Sequence, residues 1–187
     1  MAEAAREEDW PRTVEEFEIW HARQPERWEF IRGQPRMMAP ASVSHTIIKT
    51  NVGAELRTAL AERGCTVMVD GAQILTDEIS AIPNVVVVTC SPIDHSTPVI
   101  AAPVIIVEVM SPSSEENDTG LRWLAYRNIS SLRHYLVLSQ DRRLVHVHSR
   151  AGDIWRERFI SAGALELDEP PVRLELDALY AATDLAA

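Results

Sequence analysis

The sequence predicts an α/β fold in which helices cover both faces of a central β-sheet. Three observations carry that expectation. The stretches "VVVV" (85–88) and "PVIIVEVM" (103–110) are continuous apolar runs, as expected of strands buried on both faces. Two long segments, 43–63 and 116–128, keep helical spacing instead. Helices and strands alternate along the chain, which suits helices packed on a sheet.

The elements follow in order. Thr13-Val14-Glu15-Glu16 is a capping box that opens a short helix, with Val14, Phe17 and Trp20 along one face. "RWEFIRGQPRMM" reads as a hairpin turning at Gly33-Gln34-Pro35. Ile47, Ile48, Val52, Leu56 and Leu60 define the long helix, and Gly64 ends it. "CTVMV" and "AQIL" are short strands, and "AIPNVVVVT" (81–89) is a strand entered through Pro83. "PVIIVEVM" leads into the second helix, "ENDTGLRWLAYRN". "RHYLVLS", "RLVHVHS" and "IWRERFI" are three further strands, and "LDALYAAT" is a closing helix. No repeat, low-complexity tract or linker divides the chain. The 187 residues are therefore expected to form one domain, with its core at about 13–160.

Hydrophobic residues make up 46% and charged residues 25%, the balance of a soluble globule. No apolar run is long enough to span a membrane, and the first residues lack a signal-peptide apolar region. Cys65 and Cys90 have no ligand or disulfide spacing, so both are expected as reduced, buried thiols in a cytoplasmic protein. The net charge of −10 opposes broad nucleic-acid binding but leaves room for a local basic groove. Of the 18 cationic residues only Lys49 is a lysine, so lysine-dependent chemistry has one candidate.

Polar residues interrupt the apolar pattern at a few places. Glu108 falls on the strand face of Val104, Ile106 and Met110, where a lone charge is costly unless paired, hydrogen-bonded or bound to metal. A strand end emerging into solvent would also account for it. Asn84 stands at the mouth of the preceding strand, either as a turn residue after Pro83 or as a cross-strand partner of Glu108. Asp118, Arg122 and Tyr126 share a helix face at four-residue spacing. Glu29 in the hairpin and His45 at the start of the long helix add a carboxylate and an imidazole. His146 and His148 share a strand face, a spacing that suits either metal binding or a solvent-facing strand.

In order and spacing, "TVEEFEIW", "WEFIRGQPRMMAPASVSH", "IPNVVVV", "PVIIVEVMSPSSEENDTGLRWLAY" and "LRHYLVLS" resemble the Uma-type restriction-endonuclease family of the PD-(D/E)XK nuclease superfamily. The family pattern reads Pro-Asp at the strand entry, Glu in the next strand and Asp-x-x-x-Lys-x-x-x-Tyr in the following helix. The resemblance implies a restriction-endonuclease-like core, a central mixed β-sheet flanked by helices. It implies a divalent metal, magnesium or manganese, held at the Asp and Glu positions, and a lysine that orients the attacking water. Those positions are Asn84, Glu108 and Arg122 here. Met110 occupies the superfamily's usual lysine slot, and Glu29 and His45 match the family's hairpin acid and its histidine. The metal ligands are thus expected at Glu108 and Asn84, and the catalytic set is Asn84, Glu108, Arg122, Glu29 and His45.

An amide has nearly the shape of a carboxylate but carries no charge, so the ion is expected to bind weakly. Arginine keeps the positive charge but cannot release a proton, and its planar fork directs hydrogen bonds differently. Two readings stand side by side: a metal-dependent DNA endonuclease, and a nuclease fold kept as a binding or assembly module. By resemblance, DNA is the expected substrate and a homodimer the expected assembly.

Overall fold

The computed structural model describes residues 10–186 apart from 39, 89–92 and 111–116, and for 86–88 and 117–119 the backbone alone. Cys90, the "SPSSEE" segment and the Asp118 side chain therefore lie outside the described residues.

Helix α1 (Val14–His21) starts where the capping box places it, with Thr13 Oγ1 accepting from the Glu16 N–H at 3.2 Å. The return bond is shifted by one residue, because the Glu16 carboxylate accepts from the Arg12 N–H at 2.7 Å. Strands β1 (Trp28–Ile31) and β2 (Gln34–Met37) form the first hairpin. Its turn is Arg32-Gly33, one residue earlier than the sequence suggests, with φ of 47° and 83°. A two-residue turn with positive φ at both positions matches the twist of the strands it joins, so Gln34 and Pro35 pair within β2.

Helix α2 (Val43–Leu60) passes into a 3-10 turn (Ala61–Arg63) before Gly64, which is left-handed at φ 63°. Strands β3 (Thr66–Val69), β4 (Ile74–Leu75), β5 (Ile79–Ala81), β6 (Val85–Val88) and β7 (Pro103–Met110) follow. The expected single strand over 81–89 is therefore two strands in two sheets. Pro83 cannot donate to a ladder, and the chain changes sheet across Ile82–Asn84. Helix α3 (Asn117–Tyr126), β8 (His134–Ser139), β9 (Val145–Ala151) and β10 (Ile154–Ile160) complete the core. A hairpin of β11 (Ala164–Asp168) and β12 (Pro171–Glu175), which the sequence reading did not anticipate, leads into the short α4 (Leu176–Leu179).

The central sheet is six-stranded and mixed, in the order β10-β9-β8-β7-β6-β3, with β7 and β8 parallel. A smaller sheet, β2-β1-β5-β4, stands beside it. Alternation along β7 divides the core. Ile105, Val107 and Val109 meet Ile48, Val52 and Leu56 of α2, together with the β11–β12 hairpin and α4. Ile106 and Met110 meet Tyr126, Tyr135 and the small sheet's Ile31 and Ile79. Gly53 lets α2 lie close to β3, where a Cβ would collide with the Val69 side chain. Cys65 is only half-buried. No helix among the described residues is long and apolar enough to cross a membrane.

Candidate active site

Every residue of β7 is buried, and Glu108 is 4% exposed. Its carboxylate points to the α3 side of the sheet, where Ile106 and Met110 supply apolar surface. Such a group persists only if its oxygens are bonded. Arg122 Nη1 donates to Oε1 at 3.2 Å, and the Tyr126 hydroxyl donates to the same oxygen at 3.3 Å. The backbone N–H of Asn84 approaches Oε2 at 3.4 Å. The spacing of Arg122 and Tyr126 thus has a direct structural use, since one helix face presents both donors to one carboxylate.

Asn84 immediately precedes β6, which runs antiparallel to β7 with Val85 opposite Val107. Its side-chain oxygen accepts from the Val109 N–H at 2.6 Å, and its own carbonyl accepts from the Asp70 N–H at 3.2 Å. Glu29, 3% exposed, reaches in from β1. It accepts from the Ile82 N–H at 3.0 Å and from Arg122 Nη2. The Arg122 guanidinium therefore spans both carboxylates, one from each sheet.

Ser42 caps α2 and places His45 at its first turn, accepting from the His45 N–H at 3.1 Å. The ring sits against Asn84 and the Val109 backbone, and its Nδ1 is buried with no hydrogen-bond partner among the described residues. Lys49, one turn further on, pairs with Asp70 at 2.7 Å. Glu29, His45, Lys49, Asp70, Asn84, Glu108 and Arg122 all line one cleft of about 800 Å³. The five candidates from the sequence are thus neighbours. Sequence reasoning missed the Asp70–Lys49 pair and the use of Tyr126 as a donor to Glu108. The sole lysine was the one available signal for the pair.

Burial sets the charge states. It raises the Glu108 pKa to about 7, with Arg122 opposing the rise and Glu29 adding to it. Burial would lower that of Arg122, but Glu108 and Glu29 outweigh it and hold the guanidinium well above its ordinary value. Burial and then Glu108 raise Tyr126, which keeps its proton as a donor. His45 is lowered by burial and by Lys49, which leaves its imidazole neutral near pH 7.

Glu108 and Asn84 both line the cleft and carry oxygen donors, the donor type that a hard divalent ion takes. The set fits such an ion in kind and brings one negative charge to it. Both donors are also engaged, Asn84 with Val109 and Glu108 with Arg122.

His146 and His148 are not the solvent-facing pair that the alternation of β9 suggested. His148 is 3% exposed beneath Trp123, with ring centroids 4.0 Å apart.

A mixed sheet that brings polar residues from both sheets and one helix into a single cleft defines a restriction-endonuclease-like α/β protein. The same fold occurs in a crystal structure from Anabaena variabilis described as a "putative nuclease belonging to DUF820". The two agree with a TM-score of 0.73 at 16% identity, over 91% of this chain and 98% of that one. Residues 14–181 match the model of the Uma2 family, described as "Putative restriction endonuclease", and the chain belongs to that family. Two uncharacterized proteins of Synechocystis are also similar. One is 29% identical over 89% of this chain and 90% of its own length, the other 28% identical over 68% and 75%.

Proposed function

We propose that the chain is a metal-dependent DNA endonuclease of the PD-(D/E)XK type whose turnover is held low by Asn84. The observation that carries this reading is the convergence of Glu29, Asn84, Glu108 and Arg122 on one cleft. Glu108 and Asn84 would hold magnesium or manganese weakly. Such an ion supplies a more acidic bound water and neutralises charge that develops on the phosphodiester.

The chain's own residues do the rest. Arg122 stays protonated throughout, so it holds phosphate charge and cannot serve as the base. Neutral His45, in the cleft wall, is the group that would accept the proton given up by the attacking water. Tyr126 fixes the Glu108 carboxylate through its hydroxyl. Against a net charge of −10, DNA binding is confined to the cleft and weakens steeply with salt. In this reading the 187 residues act as one domain, with a core at about 13–160, in a cytoplasmic homodimer that sets one cleft on each strand.

A second reading has an observation of its own. Arg122 already lies between both carboxylates, and the Asn84 oxygen is committed to Val109. A cleft so satisfied suits a nuclease fold kept for binding or assembly. Plasmid nicking in magnesium, compared between the parent and Glu108→Gln, separates the two. Slow nicking that Glu108→Gln abolishes supports the endonuclease. DNA binding without nicking in the parent, at any magnesium or manganese concentration, supports the binding module.

A further inference from the structure

Two strand spacings from Glu108, on the same face of the central sheet, lies a second group of chemically capable side chains. The cross-strand row runs from Glu108 through Val137 to His146, or about 10 Å at ordinary strand spacing. Helix α3 separates the two places, with Arg122 and Tyr126 turned to Glu108 and Trp123 turned to His148. His146 and His148 project from β9, and Glu157 stands directly opposite His148 on β10.

Their donor atoms lie within 4.8 Å of one another. His146 Nε2 is 3.1 Å from Glu157 Oε2, and His148 Nδ1 is 3.7 Å from Glu157 Oε1. Donors around a tetrahedral zinc ion with bonds near 2.1 Å are about 3.4 Å apart, so these two separations already bracket the required value. A second observation is independent of that spacing. His148 is 3% exposed, and neither of its ring nitrogens has a hydrogen-bond partner among the described residues. A buried imidazole without a partner is costly, and a bound cation would satisfy one of the two nitrogens.

We propose that His146, His148 and Glu157 form a binding site for one divalent transition-metal ion of the zinc class, separate from the cleft. Two imidazoles and one carboxylate favour such an ion over magnesium, which prefers oxygen donors throughout. Burial, with His146 adding to it, lowers the His148 pKa to about 4, so the ring is neutral and able to ligate at pH 7. Three protein ligands leave a fourth tetrahedral position open at the β10 edge, where Glu157 is 53% exposed. The ion would fasten the edge strand to its neighbour by side chains as well as by the backbone ladder.

Cobalt(II) chloride serves as the probe, added to the full chain after dialysis against a chelator, with zinc chloride as competitor. The expected result is one equivalent bound at micromolar concentration, with the visible absorption of a tetrahedral cobalt site that zinc abolishes. Tryptophan fluorescence should fall in step, because Trp123 stacks on His148. His146→Gln and Glu157→Gln, both at partly exposed positions, should each weaken binding at least tenfold while the melting temperature without metal stays within a few degrees. Glu108→Gln should bind cobalt as the parent does. No bound cobalt in the parent would overturn the proposal. So would binding that survives both substitutions, or that Glu108→Gln alone removes.

Discussion

Replacing Asn84 by aspartate puts a second carboxylate beside Glu108, and the consequence depends on pH in a way that the structure fixes. Two like charges about 4 Å apart repel by roughly 4 kcal/mol at an effective dielectric near 20. The pair can avoid most of that by holding one proton. Glu108, with its pKa raised to about 7, is the ready site. At pH 6 Glu108 is largely protonated in both forms, so the metal-free stabilities should nearly coincide. Above pH 7, keeping that proton costs about 1.4 kcal/mol per pH unit. Near pH 8.5 the Asn84→Asp chain should therefore be about 2 kcal/mol less stable, or roughly 4–8 °C in melting temperature for a domain of this size. Magnesium should close the gap, because it binds the folded form and replaces the shared proton. Calorimetric titration at pH 7 in two buffers of different ionisation enthalpy should show about half a proton released by the parent and about one by the variant. Plasmid nicking in magnesium should rise or first appear in the variant. Equal proton release, equal melting response to magnesium and equal nicking in the two forms would make Asn84 a turn residue and refute the reasoning.

Arg122→Met leaves Glu29 and Glu108 buried without their shared cation, so urea unfolding at pH 8 should show a loss of about 3–5 kcal/mol. The loss should shrink at pH 5.5, where Glu108 is protonated. In the parent, the Glu108 pKa is raised by burial from 4.5 to about 7. Its contribution is fully present below about pH 4.5 and is lost as pH rises through 7, so Glu108→Gln should flatten that limb of the stability profile. His134 has the opposite sign. Burial lowers its pKa from 6.5 to about 4, so its contribution is present above pH 6.5 and lost as pH falls through 4. His134→Asn should reduce the slope of acid unfolding in that window. His45→Ala should cut magnesium-dependent nicking by about 100-fold or more with little change in calorimetric magnesium affinity.

The strands and helices that carry the cleft were legible because their signals are local and strong. "PVIIVEVM" is an apolar run that admits one intruder, and the capping box of α1 is a four-residue rule. The sheet change between β5 and β6 was not legible in "AIPNVVVVT", since apolar character continues across Pro83 and nothing local says which sheet each half joins. The β11–β12 hairpin lies outside the sequence expectation, although Leu165, Leu167, Val172 and Leu174 alternate and are buried. The candidate residues came from motif order, whereas their bonding came from tertiary geometry. No spacing rule reveals that Arg122 reaches Glu29 across 93 positions, or that Trp123 roofs over His148.

Arg122 clasps pieces of backbone that leave the ribosome far apart in time. Glu29 precedes it by 93 residues and Glu108 by 14. The acidic hairpin therefore waits for a long stretch of chain before its cation is made, and the entropy of closing that loop must be met before the clasp repays it. The parallel strand β8, which holds β7 in register, is made later still. The cleft therefore cannot close until α3 and β8 have been made. A fragment ending between β7 and α3 has both carboxylates but neither the guanidinium nor the Tyr126 hydroxyl that fixes Glu108. If this cleft cuts DNA, no nascent chain that ends before α3 carries a complete cutting site.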